Sequence, residues 1–316
     1  MKTTKLVVVS FILTFGIMFH AQPQDLTAGL IAYYPFNGDA TDQTGHGNNA
    51  TPTGISLATD RFGIINACYD FNGNGQANIT NTLLLNNSTA ATITGWFLRR
   101  ASITTGFVIG AGDLRAGFDP FSFVVTPSFQ IQAQFTDTSL GPPNQGVGYG
   151  GGPGLVVQSN TWYQFAMVFD SGSSTSVFRL FLNGSLMVVS NYNHSQRIFY
   201  DQTMPVQVGA LTSQTDSRFV GMIDDVRFYN RALSSSEVSA LYTLGPGPYV
   251  SLIKAVKPAL VSLFVGTNYQ LQLSGDLLIW TNHGAPFTAT NSIMVYPQYW
   301  DVDNWGKLFF RLQVAP

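Results

Sequence analysis

The chain has 316 residues, of which only 10% are charged, with 15 Lys or Arg and 17 Asp or Glu. An ordinary globular domain has roughly 25% charged residues. The net charge of −2 excludes the basic field that nucleic-acid binding needs, and it excludes a polybasic membrane patch. The length favours two domains. The single cysteine, Cys68, excludes an internal disulfide and is expected to be a buried, inert thiol.

The N-terminus has the pattern of a signal peptide. Lys2 and Lys5 precede an almost wholly apolar run, Leu6 to Phe19, which has the length of a signal core and is short for a membrane span. We therefore predict a signal peptide over residues 1–21 and a secreted or cell-surface protein. A retained N-terminal anchor is the alternative, because Phe19 is bulkier than the small residue usual near a cut. After the cut, no segment is apolar enough over enough residues to cross a bilayer.

Short strands with a period of two dominate the rest of the chain. Asn183-Gly184 between two apolar runs is a strong hairpin signal, because a type I′ turn needs positive φ at both central residues. Turn signals separate the runs at fairly regular spacing, as in an antiparallel sandwich or jelly roll. The other predicted strands are Leu30–Phe36, Thr92–Leu98, Phe107–Ile109, Phe121–Val125, Phe129–Phe135, Trp162–Phe169, Val206–Val208 and Phe219–Tyr229.

One short helix is predicted near the end of the larger domain. Ser234, followed three residues later by Glu237, has the pattern of a capping box. The sequence Gly245-Pro-Gly-Pro248 then cannot continue a helix and indicates a linker. We therefore predict a large domain over residues 25–244, a linker over 245–248 and a small module over 249–316.

The predicted module also consists of strands. Apolar residues alternate with polar ones from Tyr269 to Ser274, and a second alternation runs from Leu308 to Val314, so both segments are half-buried strands. About 68 residues hold only a marginal core, and we expect the module to pack on a larger partner. It resembles a module at the end of various exported proteins of environmental bacteria.

Four segments in the larger domain carry a second resemblance. They are Gly29–Gly38 with Asp42–Ala50, Asp60–Gly63 with Tyr69–Gly73, Thr161–Asp170 with Phe181–Gly184, and Gly221–Leu233. In this order they resemble the laminin-G-like, concanavalin A-like jelly-roll family of exported bacterial proteins, over residues 29 to about 242. The resemblance implies an all-β fold, an antiparallel β-sandwich, with a small C-terminal β domain beside it. It also implies that the first strand, Leu30–Phe36, lies next to the last, Ile223–Tyr229.

The superfamily also includes glucanases, which cut glycosidic bonds with paired carboxylates. Their signature has two Glu around an Asp on one strand, whereas this chain contains one Glu, Glu237, in the predicted capping box. Asp224 and Asp225 are adjacent, so on a regular strand they point to opposite faces, and we expect one exposed and one bonded side chain. We therefore predict no enzyme activity, with polysaccharide hydrolysis by Asp residues as a minor alternative.

Members of the superfamily often hold a structural Ca²⁺ ion, and one turn of this chain has suitable ligands. Asn37, Asp39 and Asp42 are close together, and Asp224 comes near them if the first and last strands pair. Carboxylate and amide oxygens are the ligands that Ca²⁺ prefers. The alternative is that Asp42 and the glycines after it form ordinary Asx turns.

The leading functional hypothesis is a glycan-binding or adhesive protein, because a binding fold is combined with export and without catalytic carboxylates. Sugars commonly stack on aromatic rings, and the candidate residues on predicted loops are Tyr149, Tyr192 and Tyr200. Tyr149 lies in the Gly-rich segment 141–154, a length often found in functional loops. The alternative is a structural or protein-binding role at the cell surface. The sequence identifies neither the ligand nor the oligomeric state.

Overall fold

The computed structural model describes residues 25–79, 81, 84–112, 119–137, 146–149, 155–199, 205–212, 214, 216–246, 255–297, 300–301 and 307–315. The predicted signal peptide therefore lies outside the described residues. Contacts between Cα atoms divide the chain into two compact units, residues 1–247 and 248–316.

Fifteen strands and one helix are described in the first unit. They are β1 (Leu30–Tyr34), β2 (Ala50–Thr53), β3 (Ser56–Ala58), β4 (Cys68–Asn72), β5 (Gln76–Ile79), β6 (Ala90–Arg99), β7 (Gly106–Ala111), β8 (Phe121–Val125), β9 (Ile131–Thr136), β10 (Gly146–Tyr149), β11 (Trp162–Ser171), β12 (Ser176–Leu182), β13 (Ser185–Tyr192), β14 (Val206–Val208), β15 (Val220–Tyr229) and α1 (Ser235–Thr243).

These strands form two antiparallel sheets. The order in the eight-stranded sheet is β13-β12-β11-β6-β15-β4-β3, with β1 also paired to β15. The order in the seven-stranded sheet is β10-β9-β8-β7-β14-β5-β2. One large cluster of buried apolar side chains is drawn from both sheets. The first unit is therefore the predicted antiparallel β-sandwich, with its core between the sheets.

Aromatic rings fill much of this core. Phe123 from the seven-stranded sheet stacks on Phe165 from the eight-stranded sheet, with 4.3 Å between ring centroids. Phe97 lies 5.4 Å from Phe123, so a second strand joins the same contact. Offset and tilted ring pairs of this kind stabilise by about 0.5–1.5 kcal/mol beyond area burial. Cys68 is fully buried, and burial raises the pKa of its thiol to about 12. The expected burial of this thiol is confirmed.

The first strand pairs with the last one, as predicted. Tyr33 lies opposite Arg227 and Tyr34 opposite Val226 in an antiparallel ladder. β15 also pairs with β6 along its other edge. Residues almost 200 positions apart are thereby hydrogen-bonded neighbours, and the sandwich is closed without a disulfide.

Local sequence signals for the hairpin and the helix are also confirmed. Asn183 and Gly184 have φ values of 49° and 73°, as the type I′ turn between β12 and β13 requires. Ser234 caps α1, and the side chain of Glu237 completes the capping box. Buried Val238 and Leu241 pack the helix on one half of the outer face of the eight-stranded sheet. In the part of the chain that the structure describes, no helix is both long enough and apolar enough to span a membrane.

The second unit also consists of strands, in small sheets. They are β16 (Ala255–Val256), β17 (Ala259–Val261), β18 (Asn268–Ser274), β19 (Thr281–Thr288), β20 (Ile293–Val295), β21 (Trp300–Asp301) and β22 (Phe309–Val314). β18 is the middle strand of a three-stranded sheet, β19-β18-β22, while β16 pairs with β21 and β17 with β20. A small core of its own includes Leu260, Tyr269 and Tyr296.

Gly209 directly follows β14 and offers a test of the packing between the sheets. Its φ is +81°, and an added Cβ would lie 2.2 Å from ring atoms of the fully buried Phe71. We expect Gly209→Ala to lower the free energy of unfolding by about 1–3 kcal/mol through this clash, in addition to about 1–2 kcal/mol for positive φ. Urea unfolding measures the sum of these two losses in the free energy of unfolding.

Gly63→Ala is the matched control. Gly63 has a φ of +84°, but an added Cβ there meets nothing within 4 Å. Gly63→Ala should therefore lower the free energy of unfolding only by the cost of placing Ala at positive φ, about 1–2 kcal/mol. Equal losses for the two variants would contradict the described packing of Phe71 against β14.

Candidate functional site

The outer face of the seven-stranded sheet is lined by uncharged polar side chains. Phe121, Phe123 and Val125 of β8 belong to the core between the sheets, so Ser122, which alternates with them, faces outward. The same alternation turns Gln134 of β9 outward. It also places Gln207 of β14 and Asn78 of β5 on this face.

These residues share one level of the sheet. Asn78 lies opposite Gln207, and Gln207 lies opposite Gly110 of β7. Gly110 in turn lies opposite Ser122, Ser122 opposite Gln134, and Gln134 opposite Gly148 of β10. Neighbouring strands are about 4.8 Å apart, so amides and a hydroxyl cross most of the sheet in a line. We call Asn78, Gln207, Gly110, Ser122, Gln134 and Gly148 the polar row.

The middle of the polar row is covered and its two ends are open. An added Cβ on Gly110 would lie 2.7 Å from Leu211, and Leu211 packs with Phe107 and Val124 in a small apolar cluster. Gln207 and Ser122 are accordingly buried, whereas Asn78 and Gln134 are half-buried. The polar row therefore presents one reachable amide on each side of Leu211.

One amide of the polar row has an unused acceptor. Gln207 Nε2 donates to Asn78 Oδ1 at 2.9 Å. Gln207 Oε1 is buried and has no hydrogen-bond partner in the described structure, and neither has the hydroxyl of Thr212, next to Leu211 in the chain. A buried polar atom without a partner typically costs about 1–3 kcal/mol.

Two of the three predicted tyrosines come together at one end of the polar row. The hydroxyl of Tyr192 on β13 accepts a hydrogen bond from Gly148 N at 3.3 Å, and Ser190 Oγ donates to Gly148 O at 3.0 Å. Tyr149 is the next residue on β10, although its side chain is outside the described atoms. Tyr192 is half-buried and packs against the core, with His194 as an edge-to-face neighbour. Tyr200 lies outside the described residues.

The expectation that Asp224 and Asp225 point to opposite faces is wrong. The pairing of β15 with β6 shifts register between Asp224 and Arg227, and Asp225 has a φ of 52°. This bulge inserts one extra residue into β15 and changes the direction in which the Asp225 side chain points. Arg61 consequently donates from Nη1 to Asp224 and from Nη2 to Asp225. Both carboxylates are largely buried, with side-chain exposures of 3% and 14%.

Aromatic rings and a second arginine surround these ions. The Arg61 guanidinium lies 4.3 Å from the ring centre of Phe62 and 4.4 Å from that of Trp96. Tyr33 on β1 donates its hydroxyl to Asp225 at 2.7 Å. Arg227 contacts the same carboxylate at 3.2 Å and lies over the Tyr33 ring. We call Arg61, Asp224, Asp225, Arg227 and Tyr33 the ionic cluster; it joins the two terminal strands.

The two carboxylates of the ionic cluster have opposite pKa shifts. Burial, reinforced by the charge of Asp225, holds the pKa of Asp224 well above its usual range despite Arg61. Asp224 Oδ1 is also buried without a partner. Burial acts to raise the pKa of Asp225 too, but Arg227, Arg61 and the Tyr33 hydrogen bond outweigh it and lower that pKa.

The predicted calcium ligands are largely committed elsewhere. Asp42 Oδ1 accepts hydrogen bonds from Tyr33 N and from both N and Oγ1 of Thr44, and Oδ2 accepts from Asn48 N. Asp39 Oδ1 accepts a hydrogen bond from Thr41 N. Asn37 is exposed. Burial raises the pKa of Asp42, but these hydrogen bonds outweigh it and lower that pKa.

This donor set does not fit a Ca²⁺ ion. Asp224 is bound to Arg61 instead of facing the turn. Among the described residues, no three His, Cys, Asp or Glu side chains form a group that could hold a metal. The contacts are those of the Asx-turn alternative. Calcium binding at Asn37, Asp39, Asp42 and Asp224 stays a prediction.

Sequence reasoning missed the polar row and the role of Arg61. The row depends on the register of strands that are far apart in the chain, and a single sequence does not give that register. Asp-Arg-Phe-Gly at 60–63 contributes to the family resemblance, but the resemblance assigns no role to Arg61. One local signal for the bulge existed, since Asp tolerates positive φ better than most residues.

Asp224→Asn and Asp225→Asn should affect stability with different pH dependence. A raised folded-state pKa means that wild type loses stability as the pH rises above the usual aspartate value of about 3.9. The Asn side chain does not titrate, so the variant does not lose stability in this way. The difference in the free energy of unfolding between wild type and Asp224→Asn should therefore shrink from pH 4 to pH 8. Urea unfolding across this range measures the difference.

Asp225→Asn is the paired control with the opposite sign. A lowered folded-state pKa stabilises wild type above about pH 4, and the benefit disappears only as the pH falls below that value. Its cost should thus be constant from pH 5 to pH 8. A cost of Asp224→Asn that grows with pH would mean that Arg61 outweighs burial at Asp224.

Calcium should not stabilise the protein if the Asx-turn interpretation holds. A site with a Kd of about 10 µM would add about 2.7 kcal/mol at 1 mM Ca²⁺, which corresponds to roughly 5–10 °C in Tm. We expect Tm in 1 mM EDTA and in 1 mM CaCl₂ to agree within about 1 °C. A larger increase that Asp42→Asn removes would restore the calcium hypothesis.

Comparisons with known structures return sandwich domains with low identity. Domain 4 of an extracellular arabinanase from Geobacillus stearothermophilus, in complex with arabinotriose, is 20% identical with a TM-score of 0.49 and covers 68% of this chain and 99% of its own. The sialidase domain CBM40 of Ruminococcus gnavus is 15% identical with a TM-score of 0.46, covering 55% and 96%. The binding domain of botulinum neurotoxin serotype D is 14% identical with a TM-score of 0.49, covering 68% and 50%.

The comparison with curated protein sequences gave no match. The comparison with family models did: residues 71–239, more than half of the chain, match a laminin G model described as the concanavalin A-like lectin/glucanases superfamily. That range begins on β4 and ends in α1, so it contains most strands of both sheets. The chain belongs to the laminin-G branch of the concanavalin A-like lectin/glucanases superfamily.

Proposed function

We propose that the protein is an exported, non-catalytic binding protein whose first unit binds a carbohydrate on the outer face of the seven-stranded sheet. The observation that carries this proposal is the polar row. Its amides can both donate to and accept from sugar hydroxyls. Small-molecule sites typically fix the orientation of a ligand with a few such groups, and Asn78 and Gln134 are the half-buried amides of the polar row.

The state of the acidic residues supports a binding role over hydrolysis. A glycosidase needs one carboxyl group on each side of the scissile bond, with about 5–9.5 Å between them. Asp224 and Asp225 instead share the guanidinium of Arg61 and are largely buried. Glu237 is bonded to Arg231 and to the cap of α1. These carboxylates are structural partners, so hydrolysis with Asp residues is the least favoured function.

A second candidate function is protein binding through β13. This strand is at the edge of the eight-stranded sheet and carries no charged residue and no proline. Leu186, Met187 and Val189 on it are 46–48% exposed. Natural edge strands are usually protected by charges or proline against pairing with another chain. Capture of a cell-surface protein that Val189→Lys abolishes would favour this function over glycan binding.

The test of the carbohydrate proposal begins with a glycan array and continues with calorimetry on any glycan that binds. We expect Asn78→Ala and Gln134→Ala each to weaken binding roughly 3- to 10-fold, because each removes an amide that hydrogen-bonds to the sugar. Gln134→Ala should change the free energy of unfolding little, since this side chain is half-buried. Asn78→Ala also removes the acceptor of the buried Gln207 Nε2 and should lower the free energy of unfolding by about 1–3 kcal/mol.

Gln313→Ala is the control, because it removes an exposed amide from a strand of the second unit. It should leave the affinity unchanged. Absence of binding to any glycan would overturn the proposal, and so would a glycan whose affinity is the same for wild type and for the Asn78→Ala/Gln134→Ala double variant.

A further inference from the structure

The hairpin between β18 and β19 in the second unit has an apolar tip. Leu277, Leu278 and Ile279 are consecutive in the chain and are 54%, 83% and 71% exposed. Single exposed apolar residues are normal on a soluble protein. A run of three at the end of a turn is unfavourable in water unless it has a function. We call these residues the apolar tip.

The backbone N–H groups of the apolar tip are all satisfied inside the turn. Leu277 N donates to Ser274 Oγ at 2.8 Å. Leu278 N and Ile279 N both donate to Asp276 Oδ1, at 2.8 and 2.9 Å. An exposed turn in water needs no such partners, because water supplies them. In an apolar phase each unpaired group costs several kcal/mol, so these three N–H groups can enter such a phase without losing a hydrogen-bond partner.

The base of the hairpin is rigid and amphipathic. Trp280, which follows the apolar tip, donates from Nε1 to Leu277 O at 3.1 Å. The guanidinium of Arg311 lies 4.3 Å from the Trp280 ring centre, and Arg311 Nε donates to Gln272 at 2.7 Å. Trp and Arg are the side chains that fit the polar boundary of a bilayer, since each has an apolar body and a polar end.

We propose that the apolar tip inserts into the hydrocarbon layer of a lipid bilayer, with Trp280 and Arg311 at the level of the headgroups. Asp276, directly before the tip, stays at that level as the acceptor for the turn. The positive charge of Arg311 favours anionic headgroups. The binding is peripheral and reversible, because only three side chains enter the membrane.

The size of the apolar tip argues for lipid over a protein partner. Three partly exposed aliphatic side chains offer on the order of 300 Å², whereas a stable protein interface needs about 800 Å² on each partner. A convex tip also needs a matching cavity in a protein. A fluid hydrocarbon layer adapts to the tip and needs no matching shape.

The test uses the chain from residue 22 onward, because the apolar N-terminal run would itself bind lipid. Sedimentation with vesicles of phosphatidylethanolamine and phosphatidylglycerol measures the lipid affinity. We expect binding by wild type, weaker binding to phosphatidylcholine alone, and an affinity at least about tenfold lower for Leu278→Ser/Ile279→Ser. Serine keeps the backbone N–H donors, so circular dichroism and Tm should be unchanged.

Ile293→Ser is the matched control. Ile293 is on β20 of the same unit and is 64% exposed, but it belongs to a strand and not to the tip. The control should bind vesicles like wild type. No vesicle binding by wild type would overturn the proposal, as would an equal loss for the control. A dimer in light scattering that only the double variant abolishes, without vesicle binding, would assign the tip to self-association instead.

Discussion

The burial of two neighbouring carboxylates is the strongest constraint on this fold, because each charge that leaves water needs a partner of opposite charge. Arg61 partners both of them, and Arg227 and Tyr33 complete the arrangement around Asp225. The bulge at Asp225 is the backbone feature that makes a shared guanidinium possible. The terminal strands β1 and β15 meet here, so the closing of the sandwich and the neutralisation of these charges occur at the same place.

In the binding role proposed above, the carboxylates separate this protein from the hydrolytic members of its superfamily. Paired acids in a glycosidase face a substrate with enough room between them for chemistry. Here the same residue type is used to hold strands together, and both side chains are committed to cations. Among the described residues, the other sheet carries an uncommitted acceptor, Gln207 Oε1 in the polar row.

Much of the fold could be predicted because its signals are local. Asn-Gly predicted the turn before β13, and Ser234 with Glu237 predicted the start of α1. The alternation of apolar residues predicted strands such as β8 and β11. The pairing of β1 with β15 is not local, and it was predicted from the family resemblance.

The candidate site was harder to predict, for physical reasons. The face that a strand residue occupies follows from alternation only while the strand is regular, and the positive φ of Asp225 breaks that condition. The polar row is assembled from β5, β14, β7, β8, β9 and β10, and its alignment depends on register between residues that lie far apart in sequence. Tyr192 was predicted as a residue on which a sugar stacks. In the structure its hydroxyl accepts a hydrogen bond from Gly148 N, and its ring packs against the core.

The pairing of Leu30 with Tyr229 brings the two ends of the sandwich side by side. A domain built this way can be inserted into a host polypeptide as a cassette, since its entry and exit points lie on adjacent strands and leave the sheets undisturbed. The same adjacency allows circular permutation, in which a short peptide joins the old termini and new ones open in an exposed turn. Such interchangeability is compatible with the binding role proposed for the first unit.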